Sequence, residues 1–72
     1  MTLVEDLTDS LVLDFVRGRP GFNASSIGRL MKHSYSIPLR DTNMSLRRLM
    51  DQNLIRTDDM GHYIPAEQEA SE

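Results

Sequence analysis

The sequence predicts an α+β domain that is mostly helical, with three helices followed by a two-stranded β-hairpin. In three segments, apolar residues recur at the three- and four-residue spacing of an amphipathic helix. In residues 54–64, two short strand-forming runs flank the turn-forming residues 58–61. With 72 residues and no cysteine, we expect one small domain without disulfides or thiolate metal sites.

The first predicted helix has apolar residues four positions apart. The stripe consists of Leu3, Leu7, Leu11 and Phe15, widened by Val4, Val12 and Val16. The segment Gly18-Arg19-Pro20-Gly21 ends this helix, because proline lacks an amide donor and both glycines accept turn conformations. We expect Phe22 to return to the core.

A second helix is predicted to follow Asn23, which is a good N-cap residue. Its apolar face consists of Ala24, Ile27, Leu30 and Met31. Gly28 costs on the order of 1 kcal/mol in helix propensity relative to alanine. Its presence therefore indicates either a close helix contact or a modest defect, and the sequence leaves both open.

The third helix is predicted from about residue 38 to residue 53, since Pro38 suits the first turn of a helix. Leu46, Leu49 and Met50 form its predicted buried seam. Asn53 is placed where the helix ends, because asparagine tolerates the left-handed conformation of C-terminal caps.

The hairpin is predicted from two strands, residues 54–57 and residues 62–64, with Pro65 stopping the ladder. We therefore place the folded domain at residues 1–65. The polar residues 66–72 are predicted to form a flexible C-terminal tail.

The net charge of -3 hides a segregated pattern. All eight basic residues lie between positions 17 and 56, where only Asp41 and Asp51 oppose them, so this segment carries +6, from eight minus two. Acidic residues bracket it on both sides. Such a field can attract a polyanion to one face, but ordinary solvated surface shows the same pattern.

The order of three helices and a hairpin, together with the segment LRRLMDQNLIR (residues 46–56), resembles the winged helix-turn-helix DNA-binding domains of small bacterial, phage and plasmid regulators. The resemblance covers nearly the whole chain. It implies that Ala24, Ile27 and Leu30 lie on a supporting helix, that exposed positions of the third helix face the major groove, and that the hairpin is the wing.

Physical chemistry gives this resemblance a mechanism. Arginine can donate two hydrogen bonds to guanine and asparagine can pair with adenine, and Arg40, Asn43 and Arg47 share one helical face. Met44 is a candidate for contact with a thymine methyl group. The candidates for phosphate contacts are Ser36, Ser45, Arg48, Arg29, Lys32 and Arg56. We therefore predict a transcriptional regulator or accessory protein that binds double-stranded DNA, although such a face is also common solvated surface.

The predicted wing departs from the DNA-binding pattern, because Asp58 and Asp59 at its tip would be repelled by phosphates. The alternative is a winged helix that does not bind DNA and uses its acidic wing and first helix against a basic protein partner. Because a single module of this size has a limited interface, a homodimer or a partner protein is an open alternative in either case.

Enzymatic chemistry is not predicted. His33 and His62 are separated by the whole third helix, and no serine lies in a nucleophile elbow. We expect no cofactor and no metal. No signal peptide and no apolar run of roughly 20 residues is present, so the expectation is a cytoplasmic protein without membrane contact.

Overall fold

The computed structural model of the protein describes the backbone of residues 3–67 and the side chains of residues 6–67. The elements in chain order are α1 (Leu3–Gly18), α2 (Ala24–Tyr35), α3 (Leu39–Asp51), β1 (Ile55–Thr57) and β2 (Tyr63–Pro65). The predicted fold class, mostly helical α+β with a terminal β-hairpin, is confirmed.

Helix α3 lies between the two other helices and contacts both of them. Its buried face, the inner faces of α1 and α2, the turn before α3 and the first residue of β1 form one apolar core. The buried members of this core are Val12, Val16, Ile27, Met31, Ile37, Leu46, Leu49 and Ile55. Because α3 is covered on this side only, its opposite face is left to solvent.

The buried stripe of α1 differs in part from the predicted one. Val12 and Val16, which were predicted to widen the stripe, are buried, but the burial of Thr8 was not predicted. The side chain of Leu7, by contrast, is 61% exposed. Leu11 and Phe15 are only partly buried. Both stripes have a spacing of four residues, so the periodicity does not distinguish them. The contacts of α1 with α3 select the stripe that contains Thr8.

Helix α2 is capped and packed as the sequence predicts. The side chain of Asn23 accepts a hydrogen bond of 2.8 Å from the Ser26 amide, which satisfies a free N–H of the first turn. Gly28 is buried, and a Cβ atom there would lie 2.7 Å from Cδ2 of Leu39. Of the two explanations for this glycine, the close helix contact is therefore correct.

Helix α3 ends two residues earlier than predicted, and Pro38 is its N-cap. Asn53 has φ 61°, which confirms the predicted left-handed residue beyond the helix end. The prediction that Met50 belongs to the buried seam is wrong, because its side chain is 37% exposed. Thr42 and Ser45 are buried beside Leu46 and Leu49 instead.

The hairpin pairs antiparallel, with Arg56 opposite Ile64 and Ile55 opposite Pro65. Pro65 was predicted to stop the ladder but is the last residue of β2. The pairing continues past it, because the amide of Ala66 donates to the carbonyl oxygen of Leu54 at 3.0 Å. Residue 65 lies between the positions that hydrogen-bond across the hairpin, so the N–H that proline lacks removes no bond of this ladder.

Phe22 returns to the fold as predicted. It forms an isolated antiparallel β-bridge with Tyr63, whose amide donates to the Phe22 carbonyl oxygen at 2.8 Å. Strand β2 therefore lies between β1 and Phe22. The Phe22 ring also meets the Phe15 ring edge to face, with centroids 5.3 Å apart. These contacts attach the wing to the end of α1.

The predicted tail begins at residue 66, but Ala66 is partly buried. Oε2 of Glu67 lies 3.5 Å from Nε of Arg17 and forms an ion pair with it. The rest of the predicted tail, residues 68–72, lies outside the described residues. Within the described part of the chain, none of the helices is long and apolar enough to span a membrane.

Candidate nucleic-acid interface

The solvent face of α3 carries the predicted base-reading residues. Arg40, Asn43, Met44 and Arg47 are all exposed. They lie opposite the buried residues of the same helix, because the two sets differ by about half a helical turn. The exposure of these side chains agrees with the predicted role, whereas their contact with bases stays a prediction.

A groove between α2 and α3, with a volume of about 540 Å³, adjoins this face. Its lining consists of Ala24, Ser25, Arg29, Lys32, Leu39 and Asn43, and we call it the α2–α3 groove. A second depression shares Lys32 and Leu39 with it and adds Ser36 and Pro38. Among the residues that the structure describes, each lining includes at least one cationic side chain and no carboxylate. The fold therefore brings together Arg29, Lys32, Ser36 and Asn43 of the predicted site.

Arg48 is held on the other side of α3, against α1. Its Nε donates to Oδ2 of Asp9 at 3.1 Å and its Nη2 donates to Oδ1 at 2.8 Å. The hydroxyl of Ser45 donates to the same Oδ1. Ser45 is fully buried, so its predicted phosphate contact is wrong. A phosphate contact by Arg48 stays a prediction, and it would have to compete with Asp9.

The Asp9 carboxylate is charged in this cluster. Burial by itself raises the pKa of Asp9. The hydrogen bonds from Arg48 and Ser45 and the charge of Arg48 together lower it by a larger amount, so the net pKa lies below its ordinary value. Because the carboxylate stays ionised, it balances the positive charge of Arg48. The cluster also links α1 to α3 and limits how the two helices can rotate against each other.

A second groove, the α1–α3 groove, lies on this side. It has a volume of about 400 Å³ and is lined by Asp6, Asp9, Ser10, Leu13, Arg48, Leu49, Gln52 and Leu54. Its lining holds two carboxylates and one guanidinium group. The two grooves beside α3 therefore differ in charge, and the α2–α3 groove is the one that favours an anion.

The turn of the wing uses Asp58 internally. Oδ1 of Asp58 accepts hydrogen bonds of 2.9 Å from the amides of Met60 and His62. The His62 amide is the main reason that the pKa of Asp58 lies below its ordinary value, and the Met60 amide and the nearby His62 ring add to it. Asp59, by contrast, is exposed. The side chain of Asp58 is still 33% exposed, so both acids predicted at the wing tip are charged surface groups.

The last predicted phosphate ligand, Arg56, lies on β1 and is partly buried. It is separate from the α2–α3 groove, whose lining does not include it. Among the residues that the structure describes, no group of three or more His, Asp or Glu side chains is arranged to hold a metal ion.

Two residues of this region were not identified from the sequence. Leu39 lines the α2–α3 groove four positions before Asn43, and that spacing was a usable signal. Asp9 lies 39 positions from Arg48 along the chain, so local sequence patterns contain no signal for their pairing.

The chain was compared with known protein families, with curated proteins and with solved structures. None of the three comparisons found a match. The resemblance to winged helix-turn-helix domains thus depends on the arrangement of elements and on residues 46–56.

Proposed function

We propose that this protein binds double-stranded DNA as a transcriptional regulator or accessory DNA-binding protein of the winged helix-turn-helix type. The observation that carries the proposal is the exposed face of α3, with Arg40, Asn43 and Arg47, beside a groove that contains Arg29 and Lys32. An α-helix fits the width of the major groove, and cations beside it neutralise phosphates.

In this proposal α3 enters the major groove and α2 lies along the phosphate backbone. Arg40 and Arg47 donate to guanine, and Asn43 pairs with adenine. Arg29 and Lys32 contact phosphates. Ser36, at the turn between the helices, adds a hydroxyl to the same strand, and Arg56 contacts a phosphate from the base of the wing.

The ion pair of Asp9 with Arg48 supports this choice over the protein-binding alternative. That alternative needs the acids of α1 and of the wing for a basic partner. Asp9 is engaged with Arg48, and the Asp58 carboxylate accepts backbone hydrogen bonds within its own turn. The charge of Asp9 is thus balanced by Arg48, whereas Asp58 keeps its negative charge, so the support comes from Asp9.

The α3 face can be tested with two variants that remove equal charge. Arg40→Ala with Arg47→Ala should weaken binding to a fluorescent random-sequence duplex strongly in an anisotropy titration at low salt, because both cations are lost from the face that is proposed to enter the major groove. Arg17→Ala with Arg19→Ala is the matched control, since it removes two positive charges at the end of α1.

The control should retain most of the affinity, and both variants should keep the helical circular dichroism spectrum of the parent. Equal losses in the two variants would mean that net charge, rather than the α3 face, drives binding. Parental affinity in the Arg40/Arg47 variant would remove α3 from the interface.

A further inference from the structure

We propose that Leu39 and Asn43 act together as a reader of A·T base pairs, with Asn43 pairing to adenine and Leu39 covering the methyl group of thymine. This inference rests on the proposed function, because it assigns sequence preference to the same interface. It adds Leu39, which the sequence pattern did not identify as a contact residue.

The position of Leu39 is set by α2. Leu39 is the first residue of α3. A Cβ atom added at Gly28 would lie only 2.7 Å from Cδ2 of Leu39. Because Gly28 has no side chain, Leu39 can pack directly on the backbone of α2. Its side chain is still 48% exposed, so the remaining apolar surface is available to a ligand.

Leu39 and Asn43 are neighbours on the surface of α3, because residues four positions apart lie on the same side of a helix. Both line the α2–α3 groove. An apolar group and an amide are thus presented side by side at the edge of the face proposed to enter the major groove, with the cationic Lys32 next to them.

This combination matches the major-groove edge of an A·T pair. Adenine offers the N7 acceptor and the N6 amino donor to an amide side chain, and thymine adds an apolar methyl group. A G·C pair has no methyl group on this edge. The Leu39–Asn43 pair therefore favours A·T over G·C. Met44, which lies on the far side of Arg40 from Leu39, contacts a different position.

The test compares two duplexes of about 20 base pairs, which is roughly two helical turns. One contains only A·T pairs, and the other has deoxyuridine in place of every thymidine, so it lacks the methyl groups but keeps the phosphates and the hydrogen-bonding groups. Because every base pair of the first duplex carries a methyl group, the binding register does not need to be known.

The parent protein should bind the thymine duplex about fourfold more tightly, which corresponds to the burial of one methyl group. With Met44→Ala as the common background, because Met44 is the other candidate for a methyl contact, Leu39→Ala should reduce this ratio to about one. In the same background, Leu39→Gln, which keeps the methylene group next to the backbone but ends in a polar amide, should do the same. Met60→Ala is the matched control, because Met60 is 77% exposed at the wing, and it should keep the parental ratio.

A parental ratio in folded Leu39→Gln would overturn the inference. So would equal affinity of the parent for the two duplexes, and in that case salt-dependent binding to both would leave the proposed function standing. If the parent binds neither duplex at low salt, both the inference and the proposed function are wrong.

Discussion

Asp9 on α1 and Arg48 on α3 form a bidentate ion pair, with 2.8 Å between Nη2 and Oδ1 and 3.1 Å between Nε and Oδ2. The pair joins the first helix to the helix that carries the proposed DNA face. It also removes one carboxylate and one guanidinium group from the charge that the protein presents to a ligand.

Replacing Asp9 with Asn should destabilise the fold by about 1 to 3 kcal/mol, because Arg48 and the Ser45 hydroxyl would lose a charged acceptor in a partly buried site. Urea denaturation followed by circular dichroism measures this loss. Asp14→Asn, an exposed position on the same helix, serves as the control and should change the free energy of unfolding by less than about 0.5 kcal/mol. Equal effects in the two variants would contradict a stabilising role for the ion pair.

The same cluster predicts how stability depends on pH. Because the pKa of Asp9 is lower in the folded state than in the unfolded chain, its contribution is complete above the unfolded value of about 3.9 and is lost as the pH falls through the folded value. Denaturation curves recorded from neutral pH down through this range should show a steeper acid loss in the parent than in Asp9→Asn. Parallel pH profiles would contradict this account.

Thr42 is a site where substitution should stabilise the protein. Its side chain is fully buried, and its Oγ1 has no hydrogen-bond partner within residues 3–67. Thr42→Val keeps the shape and removes the unsatisfied hydroxyl, so we expect a gain of about 1 kcal/mol in the free energy of unfolding. Thr42→Ser keeps the hydroxyl and removes the methyl group, and it should be destabilising. A loss of stability in Thr42→Val would show that the hydroxyl has a partner.

The two acids of the wing should behave differently. Asp58→Ala removes the acceptor for the amides of Met60 and His62 and should lower the melting temperature. Asp59→Ala changes the net charge equally at an exposed position and should leave the melting temperature near that of the parent. Thermal melts of both variants make the comparison, and a matching decrease in Asp59→Ala would assign the effect to charge rather than to the turn.

Much of the architecture could be predicted from the sequence, because helix periodicity and turn chemistry are local signals. Asn23 marked the start of α2, and Asn53 marked the end of α3. The buried face of α1 was predicted only in part: Val12 and Val16 were included, but the stripes containing Leu7 and Val12 have equal spacing. The choice between them depends on contacts with α3, which is distant along the chain.

The candidate site shows the same division between local and distant information. The exposure of Arg40, Asn43 and Arg47 followed from the helical period. The burial of Ser45 did not, because a serine in the core depends on the distant acceptor Asp9. The proximity of Leu39 to α2 also depends on how the two helices pack, although Gly28 indicated a close contact.

The salt dependence of duplex binding tests the central claim most directly. The parent should bind random-sequence duplex at about 50 mM salt and bind it far more weakly at about 200 mM, as phosphate contacts require. Arg29→Ala with Lys32→Ala should reduce the slope of log affinity against log salt concentration by about two, one for each lost phosphate contact. Absence of binding by the parent at the lower salt concentration, or an unchanged slope in the variant, would contradict DNA binding through the α2–α3 groove.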